Sequence, residues 1–100
     1  SVTVSNDELG KEFAQAMGDK RACLMRGHGI TTCGKSIEEA ALTAIKLNDL
    51  AEMNYRANLL GTPEPIPADE IETIVGSTRR RGGRGHEEAL WRYYCRLVGE

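Results

Sequence analysis

The stretch that decides the fold is LMRGHGITTCGKSIEEAALTAIKLNDLAEMNYRANLLG, residues 24–61. It starts within a short apolar run at residues 22–25, whose charged and glycine borders predict a buried strand. The turn Arg-Gly-His-Gly at residues 26–29 comes next, and the β-branched residues 30–33 predict a second strand. Because two strands this close in sequence most simply pair antiparallel, the sequence predicts a hairpin with His28 at its bend.

A long amphipathic helix is predicted after the hairpin. Ser36 and Glu39 match a capping box, in which the serine hydroxyl accepts from the amide three residues on and the glutamate reaches back. Apolar residues recur at three- and four-residue spacing as far as Leu59, and Gly61 is placed to end the helix. This helix is the best-specified element of the chain.

The regions on either side predict further helices. Upstream, apolar residues at every fourth position predict a first helix, with its N-cap at Ser5 or Asn6: Leu9, Phe13 and Met17. Downstream, the sequence predicts a short helix at residues 68–75, a flexible Arg/Gly loop at 76–85 and a closing helix at 86–100. The closing helix is expected to have an inner face formed by Leu90, Tyr94 and Leu97.

The composition fits one small globular domain. The chain has 100 residues, of which 40% are hydrophobic and 28% charged, and it has no apolar run long enough to span a bilayer. No signal peptide is visible, and the three scattered cysteines, without a CxxC pair, argue against a disulfide framework. These two observations predict a cytoplasmic protein. Because the basic excess is confined to residues 79–100, the body of the chain offers no general nucleic-acid surface.

The stretch from Leu24 to Gly61 resembles the C-terminal half of class II aldolase/adducin domains. In that family a strand leads to a Gly-His-Gly turn, a second strand returns to Gly-x-Ser/Thr, and an apolar-Glu-Glu-Ala motif opens a long helix ending in Leu-Gly. The upstream segment VTVSNDELGKEFAQAM is similar to the strand and helix that precede this hairpin, so the resemblance covers residues 1–75. It implies an α/β fold, part of a three-layer α/β/α sandwich with a mostly antiparallel sheet that is incomplete in this chain.

The resemblance also implies a metal site. Enzymes of the family bind a divalent ion such as Zn, Mn or Fe through three histidines, and His28 matches the histidine of the turn. The other two form a His-x-His pair in the N-terminal half of the domain, where an acidic residue also performs the proton chemistry. This chain has no His-x-His, since its second histidine, His86, lies in the tail. We therefore expect the chain to be the C-terminal portion of a longer protein and to be inactive alone.

Three other positions are candidates for roles at the site. Arg26 could contact a substrate carboxylate or phosphate through its planar guanidinium, or it could pair with a surface acid. Tyr93 and Tyr94 lie near the C-terminus, where some relatives use a tyrosine as an acid, but helix packing explains them equally well.

The sequence leaves several functions open. We favour a role as part of a metal-dependent lyase. Such an enzyme would cleave or decarboxylate a small hydroxy- or keto-acid or sugar-type substrate through a metal-stabilised enediolate. The resemblance also implies a homo-oligomer, most simply a tetramer. The alternatives are a non-catalytic adducin-like interaction module and a mononuclear iron oxygenase of the same fold. An RNA-binding role for the arginines at 79–84 is disfavoured because the run contains no aromatic residue. The preferred interpretation of that run is a disordered loop, or a loop ordered by a substrate anion or a neighbouring subunit.

Overall fold

The computed structural model describes residues 3–80 and 84–99, and within them every side chain except those of residues 79, 80 and 84. Contacts divide the chain into two compact units, residues 1–47 and 48–100, and each is described by itself. Along the chain the elements are α1 (Asp7–Met17), β1 (Ala22–Met25), β2 (Gly29–Thr32), α2 (Ile37–Leu60), α3 (Ala68–Arg80) and α4 (Arg84–Leu97).

Helix α1 begins at an asparagine cap. The Asn6 side-chain Oδ1 accepts a hydrogen bond from the Leu9 amide at 2.8 Å, so Asn6, and not Ser5, is the N-cap. The helix ends at Gly18, whose φ of 56° lies in the left-handed region and whose amide donates to the Ala14 carbonyl. The apolar face predicted from four-residue spacing is the half-buried face of the helix: Leu9, Phe13 and Met17.

Strands β1 and β2 form the predicted antiparallel hairpin. Ala22 pairs with Thr32 at the open end, and Met25 pairs with Gly29 beside the turn. In this register Cys23 lies opposite Thr31, so it is not directly across from Cys33, and both cysteines are free thiols. The residues that precede α1 were predicted to be a further strand; Thr3 and Val4 are not in one, and Val2 lies outside the described residues.

Helix α2 begins with half of the predicted capping box. The Ser36 hydroxyl accepts from the Glu39 amide at 3.1 Å. The sequence predicted that the Glu39 side chain would reach back to the Ser36 amide. In the structure its carboxylate instead lies 3.6 Å from Arg21 Nη2. Further along, Leu42 is the one buried apolar side chain among the described residues, at 4% exposure.

The Arg/Gly loop predicted at residues 76–85 is wrong over most of its length. Helix α3 continues to Arg80, and α4 begins at Arg84, so residues 76–80 and 84–85 are helical. Arginine is among the good helix formers, and this preference extends both helices into the segment that composition marked as flexible. Residues 81–83 lie outside the described residues.

The predicted inner face of α4 is correct in part. Leu90 and Tyr94 are half-buried, whereas Leu97 is 63% exposed. Trp91 and Cys95 are the half-buried residues next to them, so the covered face is rotated by about one residue from the predicted one.

Helices and a short antiparallel hairpin give a mixed α/β structure, in agreement with the predicted class. The three-layer sandwich stays a prediction. None of the described helices combines the length and the apolar character needed to cross a membrane.

Candidate metal-binding hairpin

His28 occupies the last position of a tight turn between β1 and β2. Its amide donates to the Met25 carbonyl at 3.0 Å, which closes the turn. Gly27, the third residue of that turn, has a φ of 77°, the value that a type II turn requires at this position. The ring therefore extends from a point where hydrogen bonding on both sides fixes the backbone.

The two glycines beside His28 are explained by backbone conformation. Gly29 has a φ of 134°, in the region that residues with a Cβ rarely adopt. A Cβ at Gly29 would meet nothing within 4 Å, so strain and not crowding requires glycine there.

A cavity lies beside the His28 ring, within the first unit. Its volume is about 380 Å³, and its walls are mainly apolar: Thr3, Val4, Phe13, Met25, His28 and Thr31. The Thr31 hydroxyl points to the Met25 sulfur at 3.4 Å, which orients both side chains on one face of the hairpin. His28 itself is exposed.

The described residues supply one candidate metal ligand and not a complete set. Among them, no three His, Cys, Asp or Glu side chains lie close enough together to hold an ion. A neutral imidazole is a suitable donor for Zn, Mn or Fe, and an exposed ring on a rigid turn can contribute one coordination position. The chemistry of His28 fits a metal, provided that further donors come from beyond these residues.

The other sequence candidates fall in different places. Arg26 is exposed in the same turn, two residues before His28. Tyr93 and Tyr94 belong to α4 in the second unit, where their rings make an edge-to-face contact with centroids 5.2 Å apart. His86 is exposed in the first turn of α4. The structure brings Arg26 to the turn of His28 and assigns the tyrosines a mutual packing contact.

Sequence reasoning missed the contacts at the open end of the hairpin. The Thr32 hydroxyl donates to the Ala40 carbonyl at 2.9 Å, linking the end of β2 to the first turns of α2. Gly34 approaches the same helix so closely that a Cβ would lie 2.8 Å from Glu39 Cβ. The Gly-x-Ser segment at 34–36 was the available signal, because a glycine just before a helix cap often marks a close approach.

The hairpin with its glycine-flanked histidine, and the start of the capped long helix that follows it, lie in a segment that matches a known protein family. Residues 2–55 match the family described as "Class II Aldolase and Adducin N-terminal domain", which is more than half of the chain. The chain belongs to the class II aldolase/adducin family.

Similar curated proteins include both aldolases and decarboxylases. The chain is 31% identical to the 5-methylthioribulose-1-phosphate/5-deoxyribulose-1-phosphate aldolase of Rhodospirillum rubrum over 81 residues, covering 81% of this chain and 37% of that protein. It is 32% identical to the 3,4-dihydroxyphthalate decarboxylase of Terrabacter sp. over 100 residues, covering 98% of this chain and 40% of that protein. It is 27% identical to the L-fuculose phosphate aldolase of Escherichia coli K12, covering 74% of this chain and 34% of that protein.

The chain thus spans between about a third and two fifths of the length of these relatives. No solved structure shows a significant match to it.

Proposed function

We propose that this chain is part of a divalent-metal-dependent lyase and that His28 is one ligand of its metal. The observation that carries the proposal is the exposed His28 ring on a turn closed by the Met25 carbonyl and flanked by two positive-φ glycines. The family, whose members similar to this chain are named as aldolases and decarboxylases, supports a lyase reaction.

The metal, when bound, supplies a Lewis acid that polarises a substrate oxygen and stabilises charge as a C–C bond breaks. His28 contributes a neutral nitrogen donor whose direction is set by the turn. Arg26 is exposed beside it and can bind a substrate carboxylate or phosphate with two parallel N–H groups. Phe13 and Met25 supply apolar wall to the cavity beside the ring.

Among lyase reactions, decarboxylation of a small hydroxylated acid is the first to test. The two longest decarboxylase matches cover 92% and 98% of the chain, whereas the aldolase match covers 81%. Aldol cleavage of a sugar phosphate is the second candidate, supported by the aldolase relatives. Both reactions break a C–C bond next to an oxygen that a metal can polarise.

The remaining parts of the site are proposed to lie outside this chain. The further metal ligands and the acidic residue belong to an N-terminal half of the same domain. A neighbouring subunit of a cytoplasmic homotetramer completes the site. Tyr93 and Tyr94 stay candidates for an acid at such a subunit boundary.

The proposal is tested with the complete gene product, prepared metal-free and then reloaded with Zn, Mn or Fe(II). Each form is incubated with 3,4-dihydroxyphthalate, for release of carbon dioxide, and with L-fuculose 1-phosphate, for release of an aldehyde. Turnover of either compound that is lost with a chelator and restored by metal is the expected result. An iron-loaded protein that consumes oxygen instead is an oxygenase, and a folded protein that binds none of the three ions is an adducin-like module.

A further inference from the structure

The open end of the hairpin is fastened to the start of α2. Thr32 is the last residue of β2, paired with Ala22 at the end opposite His28. Its half-buried hydroxyl donates to the Ala40 carbonyl at 2.9 Å. A carbonyl oxygen has two lone pairs, so Ala40 can accept this bond without losing its bond within the helix.

Three further contacts surround that hydrogen bond. Arg21, just before β1, lies 3.6 Å from the Glu39 carboxylate, and its carbonyl accepts from the Cys33 amide at 2.9 Å. At Gly34 a Cβ would lie 2.8 Å from Glu39 Cβ and 2.9 Å from the Ala40 amide nitrogen, closer than real Cβ contacts. We call Arg21, Thr32 and Gly34, with the Glu39 side chain and the Ala40 backbone that they contact, the hairpin base.

A small tilt at the hairpin base is amplified at the turn. Four residue pairs of antiparallel sheet extend about 10 Å, so a tilt of about 6° displaces the turn by about 1 Å. Metal–ligand distances tolerate only about 0.2 Å, so displacement on this scale removes a ligand from coordination. The direction of the hairpin therefore matters as much as the geometry of its turn.

We infer that Thr32 is a positioning residue for His28, acting through the hairpin by its hydrogen bond to the Ala40 carbonyl. This inference rests on the proposed function, since it assigns the hairpin base to the metal site that His28 serves. Thr32 lies on the face of the hairpin opposite Thr31 and Met25, so it does not line the cavity beside His28.

The test compares Thr32→Val with Thr43→Val in the complete gene product. Valine keeps the β-branched shape of threonine and removes the hydroxyl donor. Thr43 is the matched control, because its half-buried hydroxyl also donates to a carbonyl, that of Glu39, at 2.9 Å, but within α2. The measurements are the Zn²⁺ dissociation constant and, on metal-free protein, the hydrogen-exchange rate of the His28 amide, which donates to Met25.

The expected result is a Zn²⁺ dissociation constant raised about tenfold in Thr32→Val, the low end of the effect of losing a group bonded directly to a metal ligand. The His28 amide should exchange about three to ten times faster, Thr32→Ser should restore both values, and Thr43→Val should change neither. If Thr32→Val behaves like Thr43→Val in both measurements, Thr32 has a structural role alone and the inference is wrong. If the wild type binds none of Zn²⁺, Mn²⁺ and Fe²⁺, the proposed function fails, and the exchange rate of the His28 amide still decides whether the hairpin base holds the turn.

Discussion

Gly29 is the residue on which the bend beside His28 depends. Its φ of 134° is open to glycine and strained for alanine, although no atom crowds the position. Gly29→Ala is therefore expected to lower the free energy of unfolding by about 1–3 kcal/mol. Urea denaturation measures this, with Gly61→Ala as control, since Gly61 has open space and no left-handed φ. Equal effects of the two substitutions would show that backbone strain is not what requires Gly29.

Leu42 is the buried apolar side chain of the first unit, at 4% exposure. Leu42→Ala removes buried methyl groups and leaves a cavity, so the free energy of unfolding should fall by about 2–4 kcal/mol. Leu42→Met, which nearly conserves volume, should cost less than about 1.5 kcal/mol. Denaturation midpoints of the two variants provide the comparison, and an equally small effect of both would place Leu42 outside the core.

The sequence predicted that a histidine lies at the bend of a hairpin, but it did not predict the contacts that hold the hairpin in place. His28 at a bend follows from glycines that interrupt two apolar runs, and this part is confirmed by the hairpin. The hydrogen bond from Thr32 to Ala40 could not be predicted, because it depends on how a strand end meets a helix eight residues away in sequence. Local sequence patterns specify single elements such as this hairpin, whereas contacts between elements depend on tertiary packing.

Among the elements, α1 offers a direct comparison of two adjacent capping candidates. The Asn6 side chain accepts from the Leu9 amide, so Asn6→Ala should lower the free energy of unfolding by about 1 kcal/mol. Ser5→Ala should leave it nearly unchanged, because Ser5 is exposed and does not cap the helix. Thermal unfolding followed by circular dichroism tests the pair. A larger loss in Ser5→Ala would contradict the assigned cap.

The long helix and the hairpin were predictable because their periodicities are strong and their ends carry cap or turn residues. The helix predicted after Ser36 is observed from Ile37 to Leu60. Helix α3 was predicted too short, because an interior Gly76 and the arginines after it resemble a flexible segment by composition. The backbone of Gly76 is helical all the same, since the cost of glycine in a helix is about 1 kcal/mol and neighbouring residues can offset it.

At the scale of the whole molecule, the exposed apolar residues in the second half of α2 indicate a surface that needs a partner. Five of its large side chains are more than half exposed: Leu50, Met53, Tyr55, Leu59 and Leu60. At about 100° per residue these side chains lie on more than one side of the helix, and a helix that is apolar on several sides is normally buried. This chain spans at most 40% of the length of the relatives named above. The covering structure is expected from the rest of the protein or from another subunit.

Residues 1–100 alone should therefore lack turnover that the complete gene product has. The described part of the chain supplies one candidate metal ligand, and catalytic zinc sites generally have three protein ligands. Assaying both proteins with 3,4-dihydroxyphthalate and L-fuculose 1-phosphate, in equal metal, measures the difference. Comparable turnover by the 100-residue chain would contradict the expectation that ligands from outside it are needed.

Light scattering of the complete product should also give the mass of a tetramer.

The central claim is that His28 binds the metal, and metal content tests it most directly. The complete gene product and its His28→Ala variant are purified in parallel, offered Zn, Mn and Fe, and analysed by elemental mass spectrometry. We predict about one metal ion per chain in the wild type and little in the variant, with the variant still folded by circular dichroism. Equal metal content in the two folded proteins, or none in the wild type, would contradict the claim.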